Sequence, residues 1–239
     1  MSRASAVEDA RRVLEGCSLF RGLAADERQR LSMHAHLRRF TAGEPIFLKG
    51  SPGLGMMAVI SGEVRISAPS PEGKEIVLNI VHPGEVFGEL TLLDGKDRNA
   101  DAMALTACEV AMLERRDVLP LLQQRPEICL KLLELVCERL RRTTNQVEDL
   151  LFLELPSRLA KTLLRVAGRR ISATGEVGLH VRLSQRELGA MIGGTRESVN
   201  KCLSEWQRQG ITRIAAGVIV IVDPERLRHI AESEASANN

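Results

Sequence analysis

The sequence lacks the long apolar segments that would place it in a membrane. No apolar run in the 239 residues approaches the roughly 18–20 residues needed to cross a bilayer. The N-terminus has no basic start followed by an apolar core, so it is not typical of a secretory signal. We therefore expect a cytoplasmic protein with no membrane partner.

The cysteines lack the clustered spacing of a metal site or a disulfide framework. They are odd in number, scattered and without a C-x-x-C pair: Cys17, Cys108, Cys129, Cys137 and Cys202. Zinc and iron–sulfur sites need clustered ligands. Ordinary reduced thiols in a reducing compartment are the interpretation that fits, and we expect neither a metal nor a covalent cofactor.

Catalytic motifs are missing as well. No Ser-His-Asp, metal-binding or nucleotide-hydrolysing motif is visible, and the acidic pair Asp94 and Asp97 has no partner base beside it. We therefore expect a protein that is not an enzyme.

The charge is divided unevenly along the chain. Residues 155–239 carry 13 Lys and Arg against 8 Asp and Glu, so this third is basic by +5 while the other 154 residues carry −3 of the net +2. A basic C-terminal third favours an anionic polymer as partner, although a solvated basic face would give the same count.

Two kinds of periodicity follow each other along the chain. Residues Ala6 to Cys17 and Ala24 to Leu37 have helical patterns. From Phe40 to Leu113, short alternating or apolar runs such as "MMAVIS" and "EIVLNIV" are separated by Gly, Pro and Ser turns. This pattern predicts an antiparallel β-barrel or jelly roll with flanking helices, in an α+β fold. We assign residues 1–125 to this effector-binding domain.

A long helix is predicted between Pro126 and Pro156. Pro126 suits a first helical turn, and the roughly 27 residues that follow would span about 40 Å. Six residues fall at alternating steps of three and four, the a/d spacing of a coiled-coil seam: Leu133, Val136, Leu140, Thr143, Val147 and Leu150. We predict that residues 126–154 form a dimerisation helix, with ordinary amphipathic packing as the alternative.

The C-terminal segment, residues 155–239, carries the most specific local pattern. Ser184 followed by Glu187 forms a capping box that begins a helix, Gly193-Gly194 ends it, and Thr195 is a second N-cap candidate. The segment "ITRIAAGVIVIVD" then predicts a hairpin that turns at Ala215-Ala216-Gly217. Helix, tight turn, helix and hairpin make a winged helix-turn-helix.

The second of these helices has the chemistry of a DNA-reading element. Val199, Leu203 and Trp206 fall on one face, which leaves Arg196, Glu197, Asn200 and Lys201 outward. Arg can bond guanine O6 and N7 together, and Glu can accept from cytosine N4. With the residues that begin the two helices, the predicted DNA-binding set is Ser184, Gln185, Thr195, Arg196, Glu197, Asn200 and Lys201.

With these motifs in order, the chain resembles the CRP/FNR family of bacterial transcription regulators from about Leu14 to Asp223. The residues that carry the resemblance are "SGEVRI", "PGEVFGELTLLDG…RNA", the long helix and "TRESVNK". The resemblance implies a homodimer that reads palindromic double-stranded DNA, with RNA polymerase as a further partner. A helix like "TRESVNK" is similar to those that read a TGTGA-type half-site.

The resemblance also implies a cyclic-nucleotide site and the role of each residue in it. Gly88 and Glu89 would contact the cyclic phosphate and the ribose 2′-hydroxyl, Leu90 would offer an amide, and Arg98 would hold the phosphate, followed by Asn99. Thr143 and Thr144 would meet the purine, one from each subunit. The expected effector is cAMP or cGMP, whose phosphate suits the Arg fork and whose ribose suits a Glu acceptor.

Alternatives remain for the effector. Asp97 stands beside Arg98, where it could pair with the guanidinium in competition with a phosphate. The same DNA-binding regulator could respond to a dinucleotide, to haem or to no ligand. Haem would need an axial histidine, and His82 lies in "VHPGE", a usually exposed turn. More remotely, a cyclic-nucleotide domain can serve a signalling protein that does not bind DNA.

Overall fold

The computed structural model describes residues 16–70, 75–171, 177–215 and 217–232. The chain divides into two compact units, Met1–Leu140 and Arg141–Asn239. The predicted helix from Ala6 to Cys17 lies almost entirely outside the described residues. The finer division at 1–125, 126–154 and 155–239 stays a prediction.

Eight strands of the first unit form two four-stranded antiparallel sheets. The strands are β1 His36–Phe40, β2 Pro45–Phe47, β3 Gly55–Ser61, β4 Val64–Pro69, β5 Glu75–Val81, β6 Val86–Phe87, β7 Asp101–Ala104 and β8 Cys108–Glu114. The strand orders are β1-β8-β3-β6 and β2-β7-β4-β5. This is the predicted jelly roll in an α+β fold, because consecutive strands repeatedly pass from one sheet to the other.

Strand β3 shows why this region is apolar without alternation. Met57 and Val59 belong to the core between the two sheets, whereas Met56 and Ala58 pack into a second core beneath the helices. Successive strand residues point to opposite faces. A strand buried on both faces therefore carries a continuous apolar run.

The helices that flank the barrel are α1 Ala25–His34, α2 Glu89–Asp94 and α3 Arg115–Gln124. The predicted helix from Ala24 to Leu37 was too long, because the chain turns into β1 at His36 and pairs with β8. Helix α2 lies within the region for which the sequence pattern predicts strands and turns. Both differences arise from pairing and packing with residues distant in sequence.

The predicted long helix is present as α4, Pro126–Phe152, with 27 residues. Three of its predicted seam residues are at least half exposed within the chain: Leu133 at 50%, Leu140 at 66% and Val147 at 50%. No helix of the described residues is long and apolar enough to cross a membrane.

The second unit contains helices around a small sheet. Its elements are α5 Leu155–Val166, β9 Gly168–Ile171, β10 Val177–Val181, α6 Gln185–Ile192, α7 Arg196–Arg208, β11 Thr212–Ala215, β12 Val218–Ile221 and α8 Pro224–Glu232. The strand order in the sheet is β11-β12-β10-β9. Trp206 and Leu203 of α7 pack inward, as predicted. Helix α8, which the sequence pattern did not reveal, packs on α5.

Candidate functional site

The segment around Gly88 is a short helix between two left-handed glycines. Gly88 precedes α2 with φ 74°, and Gly95 follows it with φ 71°. A Cβ on Gly88 would lie 2.4 Å from Arg98 Nη1. Only glycine satisfies both the backbone angle and this close approach, so Gly88 lets the Arg98 guanidinium reach the start of the helix.

Arg98 is buried, with 5% of its surface exposed. Its Nη1 donates to Gly88 O at 2.9 Å and to Thr91 Oγ1 at 2.8 Å, and its Nη2 donates to Gly55 O at 2.8 Å. The guanidinium also lies over the Phe47 ring, 4.1 Å from its centroid. The protein therefore fixes this cation in one orientation.

The charge of Arg98 is held at an electrostatic cost. Burial lowers the pKa of Arg98, and the nearby Glu89 carboxylate partly opposes this shift. Arginine remains protonated nonetheless. Asp97 is exposed and forms no ion pair with Arg98 in the part of the chain that the structure describes. The ion pair that would compete with a phosphate is therefore not formed among these residues.

Glu89 is more buried than Arg98, at 2% exposure, and no sequence pattern indicated its partner. Arg139 of α4 forms an ion pair with the Glu89 carboxylate and donates to Val86 O. Arg139 is 50 residues away in sequence, so no local signal could have found it. The pair joins the start of α2 directly to the long helix.

The remaining predicted ligand residues are more accessible. Leu90 is 37% exposed, and Asn99 is exposed beside Arg98. Thr143 and Thr144 are also exposed, on the part of α4 that belongs to the second unit. Their predicted contacts with a phosphate or a purine stay predictions.

The helix-turn-helix forms from the predicted local signals. Ser184 Oγ accepts from Glu187 N at 3.2 Å while Ser184 N donates to Glu187 Oε2 at 2.7 Å, which closes the capping box. Gly193 ends α6 in the left-handed conformation with φ 65°. Thr195 Oγ1 accepts from Ser198 N at 3.1 Å and begins α7.

One face of α7 is buried and the opposite face is exposed. Val199, Leu203 and Trp206 are buried, whereas four polar residues near its N-terminal end are exposed: Arg196, Glu197, Asn200 and Lys201. Hydrogen bonds with its own backbone N–H and with Thr195 lower the pKa of Glu197, so its carboxylate is an acceptor at neutral pH. Gln185 Nε2 donates to Asn200 Oδ1 at 3.3 Å, which brings the predicted residues of the two helices together.

Strands β11 and β12 form the predicted wing. They pair from Thr212↔Ile221 to Ala215↔Val218, and Gly217 has φ 76° in the turn. Ala216 of the predicted turn lies outside the described residues.

The turn between α6 and α7 depends on a close backbone approach at Gly189. A Cβ there would lie 2.9 Å from Gly194 O and 3.4 Å from Thr195 O. We expect Gly189→Val to lower the free energy of unfolding of the C-terminal unit by about 1–3 kcal/mol, because the turn would be forced apart.

Thermal unfolding followed by circular dichroism measures this effect. Ala190→Val is the matched control, since it adds the same β-branched side chain at a partly exposed position of the same helix. Equal losses for the two variants would show that the close approach is unimportant.

The histidine and cysteine side chains bear on the haem and metal alternatives. His82 is exposed, and its Nδ1 lies 3.5 Å from Oε1 of Glu63. The five cysteines are free thiols. The described residues contain no group of three or more His, Cys, Asp or Glu side chains that could hold a metal ion.

Two family models match the chain. A cyclic nucleotide-binding domain matches residues 37–125, and a Crp-like helix-turn-helix domain matches residues 157–230. The chain is 33% identical over 216 residues to a CRP-like cAMP-activated global transcriptional regulator from Mycobacterium tuberculosis, which is 90% of this chain and 96% of that protein.

Solved structures agree with this likeness. The c-di-GMP responsive global regulator CLP of Xanthomonas campestris matches with a TM-score of 0.73 and 27% identity, over 83% of this chain and 99% of that one. A transcriptional regulator of the CRP/FNR family from Thermus thermophilus matches with a TM-score of 0.70 and 29% identity, over 84% of this chain and 100% of that one.

Proposed function

The chain belongs to the CRP/FNR family of DNA-binding transcription regulators and carries a cyclic nucleotide-binding domain, and we propose that cAMP or cGMP controls it. The observation that carries this proposal is the burial of two charged side chains, Arg98 and Glu89. A fixed cation and a buried acceptor suit a cyclic phosphate and a ribose hydroxyl respectively. Relatives named as cAMP-activated support the same class of effector.

Each predicted ligand residue has a chemical role in this proposal. Arg98 would donate to the cyclic phosphate, supported by the amides of Gly88, Glu89 and Leu90. The Glu89 carboxylate would accept from the ribose 2′-hydroxyl. Asn99, Thr143 and Thr144 would supply polar contacts around the phosphate and the purine.

The Arg139–Glu89 ion pair offers a route from ligand to helix. A ribose hydroxyl that donates to Glu89 would share that carboxylate with Arg139, which belongs to α4. Ligand occupancy would then bias the position of the long helix and of the DNA-binding units that follow it. Because such coupling is reciprocal, DNA and nucleotide would strengthen each other's binding by the same factor.

We propose that α4 forms the homodimer interface through its a/d seam. The exposed apolar side chains of Leu133, Leu140 and Val147 would be covered by the same helix of a second subunit. Two copies of α7 would then reach successive major grooves about 34 Å apart, each on a TGTGA-type half-site of a palindrome. RNA polymerase is the proposed further partner.

A charge in this seam should separate the subunits. Leu140→Glu would place two carboxylates opposite each other at the interface, so we expect mainly monomer at micromolar concentration in analytical ultracentrifugation. Leu130→Glu is the control, because Leu130 is similarly exposed at 61% but lies outside the a/d positions. A Leu140→Glu variant that stayed dimeric would place the interface elsewhere.

A calorimetric titration of the full-length protein tests the effector. We expect cAMP or cGMP to bind and to increase affinity for a TGTGA palindrome in an electrophoretic mobility shift. Cyclic di-GMP is the rival effector, because the similar Xanthomonas regulator is named as responsive to it. Binding of cyclic di-GMP without cAMP or cGMP would contradict the proposal.

A further inference from the structure

Thr91, a residue of the short helix α2, contacts Arg98. No sequence pattern singles out Thr91. Its side chain is 2% exposed. The hydroxyl donates to Gly88 O at 3.0 Å and accepts from Arg98 Nη1 at 2.8 Å. A Cβ on Gly53 would lie 2.3 Å from Thr91 Cβ, so the absence of a side chain at position 53 gives Thr91 its place.

The hydrogen bonds of Arg98 can be counted donor by donor. A guanidinium has five N–H groups in one plane. Nη1 donates to Gly88 O and to Thr91 Oγ1, and Nη2 donates to Gly55 O. Nε–H and the second hydrogen of Nη2 have no protein acceptor among these bonds.

The two remaining donors lie on one edge of the guanidinium. Thr91 Oγ1 accepts from Nη1, Gly55 O accepts from Nη2, and these two acceptors are 3.4 Å apart. They therefore lie side by side along the guanidinium edge that Nη1 and Nη2 form. The other Nη2–H then lies parallel to Nε–H. Two parallel N–H groups match two oxygens of one phosphate.

The protein leaves this edge without an acceptor. Nε of Arg98 is buried and has no hydrogen-bond partner among the described residues. A buried donor without a partner is costly, especially on a charged group. An oxyanion that reached the edge would remove this cost, whereas a neutral ligand would leave part of it in place.

We propose that Thr91 is a positioning residue for phosphate recognition, whose hydroxyl holds Arg98 so that the Nε–Nη2 edge is presented to a phosphate diester. This rests on the proposed function, since it requires a nucleotide with such a phosphate. Thr91 does not touch the ligand in this scheme. It fixes which pair of Arg98 donors remains available.

Two substitutions separate the hydroxyl from the shape of Thr91. Thr91→Val keeps the shape and removes the hydroxyl, whereas Thr91→Ser keeps the hydroxyl. In calorimetry on the full-length protein, we expect Val to weaken cAMP or cGMP binding about tenfold or more, and Ser to stay within about threefold. Equal affinities for wild type and Thr91→Val would overturn the proposal, as would equal losses for Val and Ser.

A second measurement is independent of the effector. The Arg98 Nε–H resonance can be assigned in a ¹H–¹⁵N spectrum by its loss in Arg98→Lys. We expect this resonance to move in ligand-free Thr91→Val but not in Thr91→Ser. An unmoved resonance in Thr91→Val would overturn the positioning role whatever the ligand.

Cyclic di-GMP, which also carries phosphate diesters, separates the two proposals. If only this nucleotide binds and Thr91→Val weakens it, the cAMP or cGMP assignment fails and the role of Thr91 stands. If none of the three nucleotides binds wild type, both proposals fail.

Discussion

An Arg98→Ala variant is expected to lose binding of cAMP and cGMP by a factor of roughly 10²–10⁴. Two hydrogen bonds from a charged donor contribute about 1.5–3 kcal/mol each. Alanine removes both, together with the guanidinium that donates to the backbone of Gly88 and Gly55. Calorimetry with each nucleotide measures the loss.

The same substitution should affect stability less than affinity. Arg98 donates to Gly88 O, Thr91 Oγ1 and Gly55 O, and these acceptors lose a partner. Removing a cation whose pKa is lowered by burial also relieves a desolvation cost. We therefore expect a loss of about 1–2 kcal/mol in the free energy of unfolding, measured by urea denaturation.

Two control variants identify the cause of the lost nucleotide affinity. Arg116→Ala removes an arginine whose side chain is 75% exposed, and it should bind nucleotide like wild type. Arg98→Lys keeps the charge but not the fork, so its affinity should be intermediate. If Arg98→Ala bound cAMP or cGMP as tightly as wild type does, the phosphate would lie elsewhere.

How far the sequence predicts this molecule depends on the distance between the interacting residues. The capping box of Ser184 and Glu187 and the glycine turn at Gly193 involve neighbours, so the helix-turn-helix could be predicted directly. The long helix was equally clear, because Pro126 and the a/d spacing are both local signals.

The proposed ligand site depends on longer connections, and there the sequence-based prediction was incomplete. Gly88, Glu89 and Arg98 are assigned to it through a family resemblance. Gly55, which accepts from Arg98, and Arg139, which pairs with Glu89, are 43 and 50 residues away from those partners in sequence. Asp97 was the obvious partner of Arg98 by adjacency, yet the guanidinium is buried and the Asp97 side chain is exposed.

The Arg196→Ala variant should show the second large effect, on specific DNA binding. Arg196 is exposed in the first turn of α7, where an arginine can bond guanine O6 and N7 together. Losing one bidentate base contact costs about 1–3 kcal/mol. A dimer on a palindrome loses it twice, so we expect about 2–6 kcal/mol, or roughly 30-fold to more than 10⁴-fold, at fixed salt.

Arg208 provides a matched control for this experiment. It lies in the last turn of the same helix and pairs with Glu205. Arg208→Ala removes the same charge, so it should reduce affinity for specific and unrelated DNA by similar, small factors. Arg196→Ala should instead lower the ratio of specific to non-specific affinity, because base contacts and not phosphate contacts carry that ratio.

The pattern of base preference decides whether α7 reads DNA. In competition mobility shifts with each half-site position varied, Arg196→Ala should relax the preference for guanine at one position per half-site and leave the others in place. A uniform loss across all sequences would assign Arg196 to a phosphate. Unchanged affinity and preference would show that another surface of the C-terminal unit contacts the bases.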